Sequence, residues 1–171
     1  MSAALVVGKL PCHGDFVARG VDARQRREID AWLSASIASA REQLGGRFDE
    51  AFDCAPPWHF AWRDDRWTAG ALVPSVDSAG RRFPLLVARN DLDEKQVRAA
   101  AKLCEEAAAA AIAKRRSADE LVRDVEAVAV ASDSGGCTEG WWNEELGDAS
   151  RVDERLPASI LSHMLVAVIA Q

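Results

Sequence analysis

The feature that most constrains the fold is a short segment in which aromatic and other residues alternate. Every second residue from Trp58 to Trp62 is aromatic, and a period of two is typical of a β-strand with one buried face. A polar turn at 63–66 separates this segment from the apolar segment 67–73. The pattern predicts an antiparallel hairpin over 58–73.

Helical patterns lie on both sides of this hairpin. Asp22 is a suitable N-cap residue, and Ser117 followed by Glu120 matches a capping box. Pro157 suits the first turn of a helix, where its missing N–H group is not needed. The predicted helices are, in order, 22–44, 48–54, 93–116, 118–130 and 157–168.

The remaining apolar runs complete the predicted fold. Strands are expected over 3–10, over 83–88 and, at an edge of the sheet, over 137–143, whereas the polar segment 144–154 is expected to be a loop. The resulting order is β-α-α-β-β-β-α-α-β-α. Because strands and helices do not alternate, a Rossmann-like sheet is excluded. We predict an α/β protein of the α+β type, a single domain over 1–171 with about five mostly antiparallel strands covered by helices.

The adjacent tryptophans and the histidine of the hairpin give three further expectations. Trp141 and Trp142 cannot lie on the same side of one strand. We expect one of them in the core and the other exposed, as an anchor for a protein partner. His59 is expected to be a partly exposed strand residue.

Length and charge limit the classes of protein to which the chain can belong. The 171 residues are 49% apolar, which suits one globular domain. The net charge is −6 and the longest basic cluster is Lys114–Arg116, whereas nucleic-acid binding needs a wider basic surface. No stretch approaches the ~20 apolar residues of a membrane-spanning helix. We therefore expect neither a nucleic-acid partner nor a membrane span.

The cysteines and histidines form no metal-binding pattern. The four cysteines are far apart and contain no C-x-x-C pair, whereas a structural zinc site needs closely spaced ligand pairs. We expect no metal and no cofactor. The apolar run at the N-terminus is too short for a signal peptide, and unpaired thiols suit a reducing compartment. These features predict a cytoplasmic protein.

The first candidate functional segment is the loop that follows the first strand. It contains Lys9 and Pro11 between Gly8 and Gly14, and Asp15 follows. A phosphate-binding loop needs the order G-x-x-x-x-G-K-[ST] at the start of a helix. Here Lys9 directly follows the first glycine and Pro11 interrupts the loop, so no nucleotide site is predicted. Asp15 can instead accept hydrogen bonds from backbone amides of the turn.

The second candidate segment is the loop 74–82, which contains Ser75, Asp77, Arg81 and Arg82. Asp77 can pair with either arginine across the loop and stiffen it. An arginine pair beside a glycine turn can also bind a carboxylate or a phosphorylated side chain in fork geometry. The pattern leaves a self-contained salt-bridged turn and a binding loop as alternatives.

An enzymatic role would depend on the same two loops. If they met in space, Ser75 and His13, with Asp15 or Asp77, could imitate a hydrolytic triad. However, Ser75 lacks the G-x-S-x-G elbow that positions a serine nucleophile. We assign no catalytic residue and keep a small hydrolase that uses Ser75 and His13 as an alternative.

Six short motifs follow one another along the chain. They are, in order, Gly8–Pro11 with Gly14–Val17, Asp30–Leu33, Ala55–Phe60, Pro74–Asp77 with Gly80–Leu85, Trp141–Trp142 and Leu156–Pro157. This ordered set resembles the TagF family of type VI secretion accessory proteins. The Trp or Phe that is usual in the family just before the first glycine is replaced by Val7.

The resemblance implies regulation and not catalysis. TagF proteins are associated with post-translational repression of type VI secretion through a forkhead-associated scaffold protein, in parallel with threonine phosphorylation. We therefore expect a cytoplasmic interaction module, with a structural subunit of the secretion apparatus as an alternative. The residues expected to form or support its docking surface are Lys9, Asp15, Ser75, Asp77, Arg81 and Arg82.

Overall fold

A seven-stranded sheet forms the centre of the protein. The structure is a computed structural model that describes residues 3–169, apart from the side chains of Asp148 and Ala149. The spatial order of the strands is β2-β1-β5-β4-β3-β6-β7, and every neighbouring pair is antiparallel. The strands are Ala4–Gly8 (β1), Val17–Arg19 (β2), Trp58–Arg63 (β3), Trp67–Val73 (β4), Leu85–Leu92 (β5), Gly140–Asn143 (β6) and Gly147–Val152 (β7).

Helices cover both faces of this sheet. One face packs against α1, α2 and α5, and the other packs against α3 and α4. The predicted α+β class with an antiparallel sheet is confirmed. The helices are Ala23–Leu44 (α1), Phe48–Asp53 (α2), Val97–Ala113 (α3), Ala118–Ala127 (α4) and Ile160–Ile169 (α5), with short 3₁₀ turns at Gly45–Arg47 and Glu94–Gln96.

The burial of β1 shows why strands of this sheet are apolar on both sides. Leu5 and Val7 pack into the core beneath α1, α2 and α5, while Ala4 and Val6 pack into the core beneath α3 and α4. Successive side chains of a strand point to opposite faces. Because both faces are covered, neither set of side chains is exposed to water.

The caps predicted from the sequence are present. Asp22 and Gln25 form a capping box at the start of α1, and Ser117 and Glu120 form another at the start of α4. These boxes satisfy backbone N–H groups that have no partner within the helix. The hairpin over 58–73 is also confirmed.

The sheet has two more strands than the five predicted. The three-residue strand β2 pairs with β1 and is too short to show a periodic pattern. Strand β7 lies inside 144–154, which was predicted to be a loop, and pairs with β6. Consequently β6 is not an edge strand, because it lies between β3 and β7. The helix predicted from Pro157 begins at Ile160.

The expectation of an exposed tryptophan is wrong. Trp141 is fully buried and Trp142 is 7% exposed, since the sheet is covered on both faces. His59 is also buried, at 4% exposure, and not partly exposed as predicted. No helix within residues 3–169 has the length and apolar character needed to cross a membrane.

Candidate functional site

The two candidate loops lie side by side and are bonded to each other. We call residues 9–16 and 74–82 the motif loops. The backbone N–H of Ser78 donates to the carbonyl of His13 at 2.8 Å, and Arg81 Nη2 donates to the carbonyl of Gly14 at 2.9 Å. Lys9 Nζ reaches Asp77 Oδ2 at 3.0 Å. The structure therefore joins two segments that are far apart in the sequence into one surface.

The pairing of β1 with β5 brings these loops together. Gly8 at the end of β1 lies opposite Leu85 at the start of β5, so the loop after one strand meets the loop before the other. Gly8 has a φ of 137°, and a Cβ atom there would lie 2.2 Å from the carbonyl oxygen of Pro84. Only glycine fits this close approach without moving the backbone.

Asp77 is the centre of the connection. Its side chain is fully buried, and its Oδ2 atom accepts from Lys9 Nζ and from Arg81 Nε at 2.7 Å. Its Oδ1 atom accepts from the backbone N–H groups of Ala79 at 2.9 Å and Arg81 at 3.0 Å. Four donors thus surround one buried carboxylate, which satisfies the requirement that buried charge be paired and hydrogen-bonded.

These donors keep Asp77 ionised. Burial alone raises the pKa of this carboxyl, but the Arg81 amide, the Lys9 ammonium, the Arg81 guanidinium and the Ala79 amide together hold its pKa well below its usual range. Hydrogen bonds to the charged form always act in this direction. The carboxylate therefore stays negative throughout the physiological pH range.

The two arginines of the second loop have different partners. Arg81 pairs with Asp77, as one of the two pairings predicted from the sequence, whereas Arg82 binds Asp53 of α2. Arg82 Nε and Nη2 each donate to a carboxylate oxygen of Asp53 at 2.7 Å, and Asp49 lies 3.3 Å away. This fork geometry fastens the loop to α2. The Asp53 and Asp49 partners had no signal in the sequence, because only the folded chain brings them to Arg82.

The predicted site residues divide into exposed and buried groups. Asp15 is exposed, and the Arg81 side chain is 64% exposed. Lys9 is 17% exposed along its side chain, while Ser75 and Asp77 are buried. The exposed residues, together with Ser78, Ala79 and Gly80, form a tip of the motif loops that faces solvent. The buried residues hold that tip in place.

An aromatic contact also joins the two motif loops. The rings of Phe16 and Phe83 meet edge to face with their centroids 5.6 Å apart, and Lys9 Nζ lies 5.6 Å from the Phe83 ring. Such contacts add to the area that the rings bury. Phe16 ends the first motif loop and Phe83 directly follows the second, so this contact is a second connection between the loops.

His13 and Ser75 do not form a nucleophile–base pair. Ser75 Oγ is buried and has no hydrogen-bond partner within residues 3–169. His13 Nε2 accepts the backbone N–H of Ala118 at 3.0 Å, so this nitrogen caps α4. Its lone pair is therefore not available to take a proton from a serine.

The described residues also contain no metal-ligand cluster. Within residues 3–169, no three His, Cys, Asp or Glu side chains are grouped so that they could hold one ion. One cluster of ionisable groups lies away from the motif loops, where the buried His59 contacts Glu105 and Glu144. Its members are distant in sequence and have no recognisable spacing, so sequence reasoning missed it.

Comparisons with known proteins identify the family. The family model of the TagF N-terminal domain, described as type VI secretion system-associated, matches residues 6–131. The crystal structure of PA0076 from Pseudomonas aeruginosa PAO1 is similar, with a TM-score of 0.62 and 22% sequence identity over 96% of this chain and 77% of that chain; at this identity the likeness shows a shared fold. No curated protein matches the chain. Because the family model covers most of its length, the chain belongs to the TagF N-terminal domain family, which is associated with type VI secretion.

Proposed function

We propose that this protein is a cytoplasmic, post-translational repressor of type VI secretion that acts by binding another protein. The partner that fits the family is a forkhead-associated scaffold of the secretion system. The docking surface is the exposed tip of the motif loops, formed by Asp15, Ser78, Ala79, Gly80 and Arg81. In this proposal the protein holds the scaffold in a state that does not support assembly, and it carries out no chemistry.

The observation that carries this proposal is the construction of the tip. Exposed polar groups lie on loops that are fixed by the ion pairs of Lys9 and Arg81 with the buried Asp77 and by the Arg82–Asp53 pair. Binding residues are often placed on loops that a rigid scaffold positions. A locked loop also loses little conformational entropy when a partner binds, which favours affinity.

The geometry gives less support to a hydrolase than to a protein-binding role. A serine nucleophile needs a base within hydrogen-bond reach and access to the substrate. Ser75 is buried without a partner in residues 3–169, and the Nε2 atom of His13 is occupied by α4. Neither residue is in the state that acyl transfer needs.

The test is a substitution that changes the tip without touching its support. Ala79→Arg adds a large charged side chain at an exposed position, while the backbone N–H that Asp77 accepts is kept. We expect the variant to fold as the wild type does and to lose at least about tenfold in affinity for the purified forkhead-associated scaffold, as expected when a central contact is blocked. The affinity is measured by calorimetry or by surface plasmon resonance.

Ala127→Arg is the matched control. Ala127 is exposed and ends α4, whereas the motif loops contact the start of that helix through His13 and Ala118. A helix of this length separates the two positions by about 15 Å. Equal affinity of both variants and the wild type would place the docking surface elsewhere, and absence of wild-type binding would reject this partner.

A further inference from the structure

Three exposed arginines from different parts of the chain lie along the first motif loop. They belong to α1, to the second motif loop and to the turn between α3 and α4. Each contacts a different residue of the loop: Arg115 Nη2 donates to the carbonyl of Pro11 at 2.9 Å, Arg81 Nη2 donates to that of Gly14 at 2.9 Å, and the guanidinium carbon of Arg26 lies 5.8 Å from the centre of the Phe16 ring. With the exposed lysine beside Arg115 they form what we call the basic rim: Arg26, Arg81, Lys114 and Arg115.

Most cations of the basic rim have no carboxylate partner. Within the described residues, Arg81 alone of the four forms an ion pair, with Asp77. The neighbouring Arg116 is, by contrast, bound to Asp124 at 2.6 Å. A guanidinium carries five N–H groups, and for Arg115 residues 3–169 provide one acceptor, a carbonyl of the loop. The other N–H groups of Arg115 are therefore free to bind a ligand.

The backbone of Arg115 adopts a conformation that favours glycine. Its φ is 52°, and it directly follows Lys114, the C-cap residue of α3. The next N–H, that of Arg116, donates to the carbonyl of Ala111 at 2.9 Å, which is the pattern of a helix that ends in a left-handed residue. Glycine adopts this conformation without strain. The backbone therefore does not explain an arginine here, and strained residues of this kind are concentrated at functional sites.

The carboxylates near the loop do not neutralise the basic rim. Asp77 is shared with Lys9, and Asp119 at the start of α4 is paired with Arg19 at 2.7 Å. Asp15 is exposed on the loop and has no ion pair in the part of the chain that the structure describes. The chain as a whole has a net charge of −6. The basic rim is thus a positively charged region on a protein whose net charge is negative.

We propose that the basic rim binds an acidic segment of a protein partner, that is, a run of Asp and Glu side chains. This proposal rests on the proposed function and deepens it, because it gives the chemistry of the surface that meets the exposed tip. The three arginines contact separate positions along the loop and do not converge on one point, which suits several carboxylates better than a single phosphate group. Arginine binds carboxylates in fork geometry, and opposite charges also speed association.

A peptide of ten glutamates tests the basic rim without the natural partner. The full ¹⁵N-labelled chain is titrated with this peptide at low ionic strength, where charge interactions are least screened, and the amide shifts are followed by NMR. We expect the largest shifts at 9–16 and at 114–117. Absence of shifts, or shifts spread over all exposed cations, would overturn the proposal. Tighter binding of a single-stranded oligonucleotide of matching charge would also overturn it, because the rim would then be a nucleic-acid site.

Lys114→Gln combined with Arg115→Gly removes two charges of the basic rim without straining the backbone. Because glycine suits the φ of 52°, we expect this double variant to fold as the wild type does. Its affinity for the peptide should fall about fivefold, the effect of losing two surface ion pairs. If circular dichroism showed that the double variant is unfolded, Arg26→Gln at an exposed position of α1 would replace it, with an expected loss of about twofold.

Lys95→Gln combined with Arg98→Gln is the matched control. It removes the same number of charges from exposed positions at the other end of α3, which is about 25 Å away along the helix. We expect this control to bind the peptide as the wild type does. An equal loss of affinity in both double variants would show that net charge alone is responsible and would overturn the proposal.

Binding to the forkhead-associated scaffold separates this proposal from the one on which it rests. If the wild type binds the scaffold, the double variant of the basic rim should bind it more weakly and with a smaller dependence on salt. Unchanged affinity and salt dependence would overturn the assignment of the rim to this partner. If the wild type does not bind the scaffold but binds the peptide at the rim, the repressor proposal fails, and the rim is supported as a site for a different acidic partner.

Discussion

Two buried ionisable groups of this protein have opposite surroundings. Asp77 in the second motif loop lies between the cations Lys9 and Arg81, whereas His59 in β3 lies between the carboxylates of Glu105 and Glu144. Asp77 also accepts two backbone N–H groups, which cannot be protonated or removed. The His59 contacts involve side chains only.

The comparison shows how the donors around a buried group determine the strength of a buried cluster. An aspartate is ionised by default at neutral pH, and the four donors around Asp77 stabilise that state further. Because two of these donors are backbone groups, the motif-loop cluster does not depend on side chains alone. The His59 cluster depends only on the side chains of Glu105 and Glu144.

The largest effect should come from neutralising Asp77. In Asp77→Asn, all four partners are donors, so the N–H₂ group of the new amide must face a donor in either orientation. Breaking a buried charged pair in this way is strongly destabilising, and we expect Tm to fall by roughly 6 to 20 °C. Thermal unfolding followed by circular dichroism measures this change.

Asp15→Asn is the matched control for that variant. Asp15 is exposed, and its carboxylate has no hydrogen bond or ion pair within residues 3–169. The Tm of Asp15→Asn should therefore equal that of the wild type. Equal Tm values for Asp77→Asn and the wild type would mean that the buried cluster does not hold the loops together.

An intermediate effect should appear in acid. Because the pKa of Asp77 is lowered in the folded chain, its stabilising contribution is complete above the pKa of an unfolded aspartate, about 3.9. It is lost as the pH falls toward the lower folded value, because the unfolded chain binds a proton first. Urea unfolding at pH 7, 5 and 3 should therefore show the wild type and Asp77→Asn converging only at the lowest pH. A constant difference would contradict this account.

The sequence was informative where the cause of a structure is local. The caps at Asp22 and Ser117 depend on residues three positions apart, and the Asp77–Arg81 pair joins residues four apart. The N-cap at Asp22 and the capping box at Ser117 were predicted from the sequence, and Arg81 was one of the two partners predicted for Asp77. The resemblance to the family also identified both segments that form the motif loops. It did not specify the hydrogen bonds between them.

The rest of the site depends on pairing across the sheet. Lys9 reaches Asp77 only because β1 and β5 are neighbours, and no local pattern specifies that neighbour. His59 lies opposite Trp142 of β6 and contacts Glu105 of α3, and the β6 neighbour follows from the order of the strands. Strand β7 has a polar sequence and pairs with β6. There the backbone N–H of Asn143 donates to Ser150 Oγ. Such elements are determined by tertiary partners and not by periodicity.

The smallest effect should come from Ser75, which is a buried polar group without the partners that Asp77 and His59 have. Its hydroxyl makes no hydrogen bond within residues 3–169, so Ser75→Ala removes an unpaired group and should change the free energy of unfolding by no more than about 1 kcal/mol. Ser150→Ala is the contrasting variant, because that buried hydroxyl also donates to the Gly147 carbonyl at 2.7 Å. We expect it to lose about 1 to 2 kcal/mol in urea unfolding. A larger loss in Ser75→Ala than in Ser150→Ala would contradict this account, because a large loss requires a hydrogen bond at Ser75 Oγ.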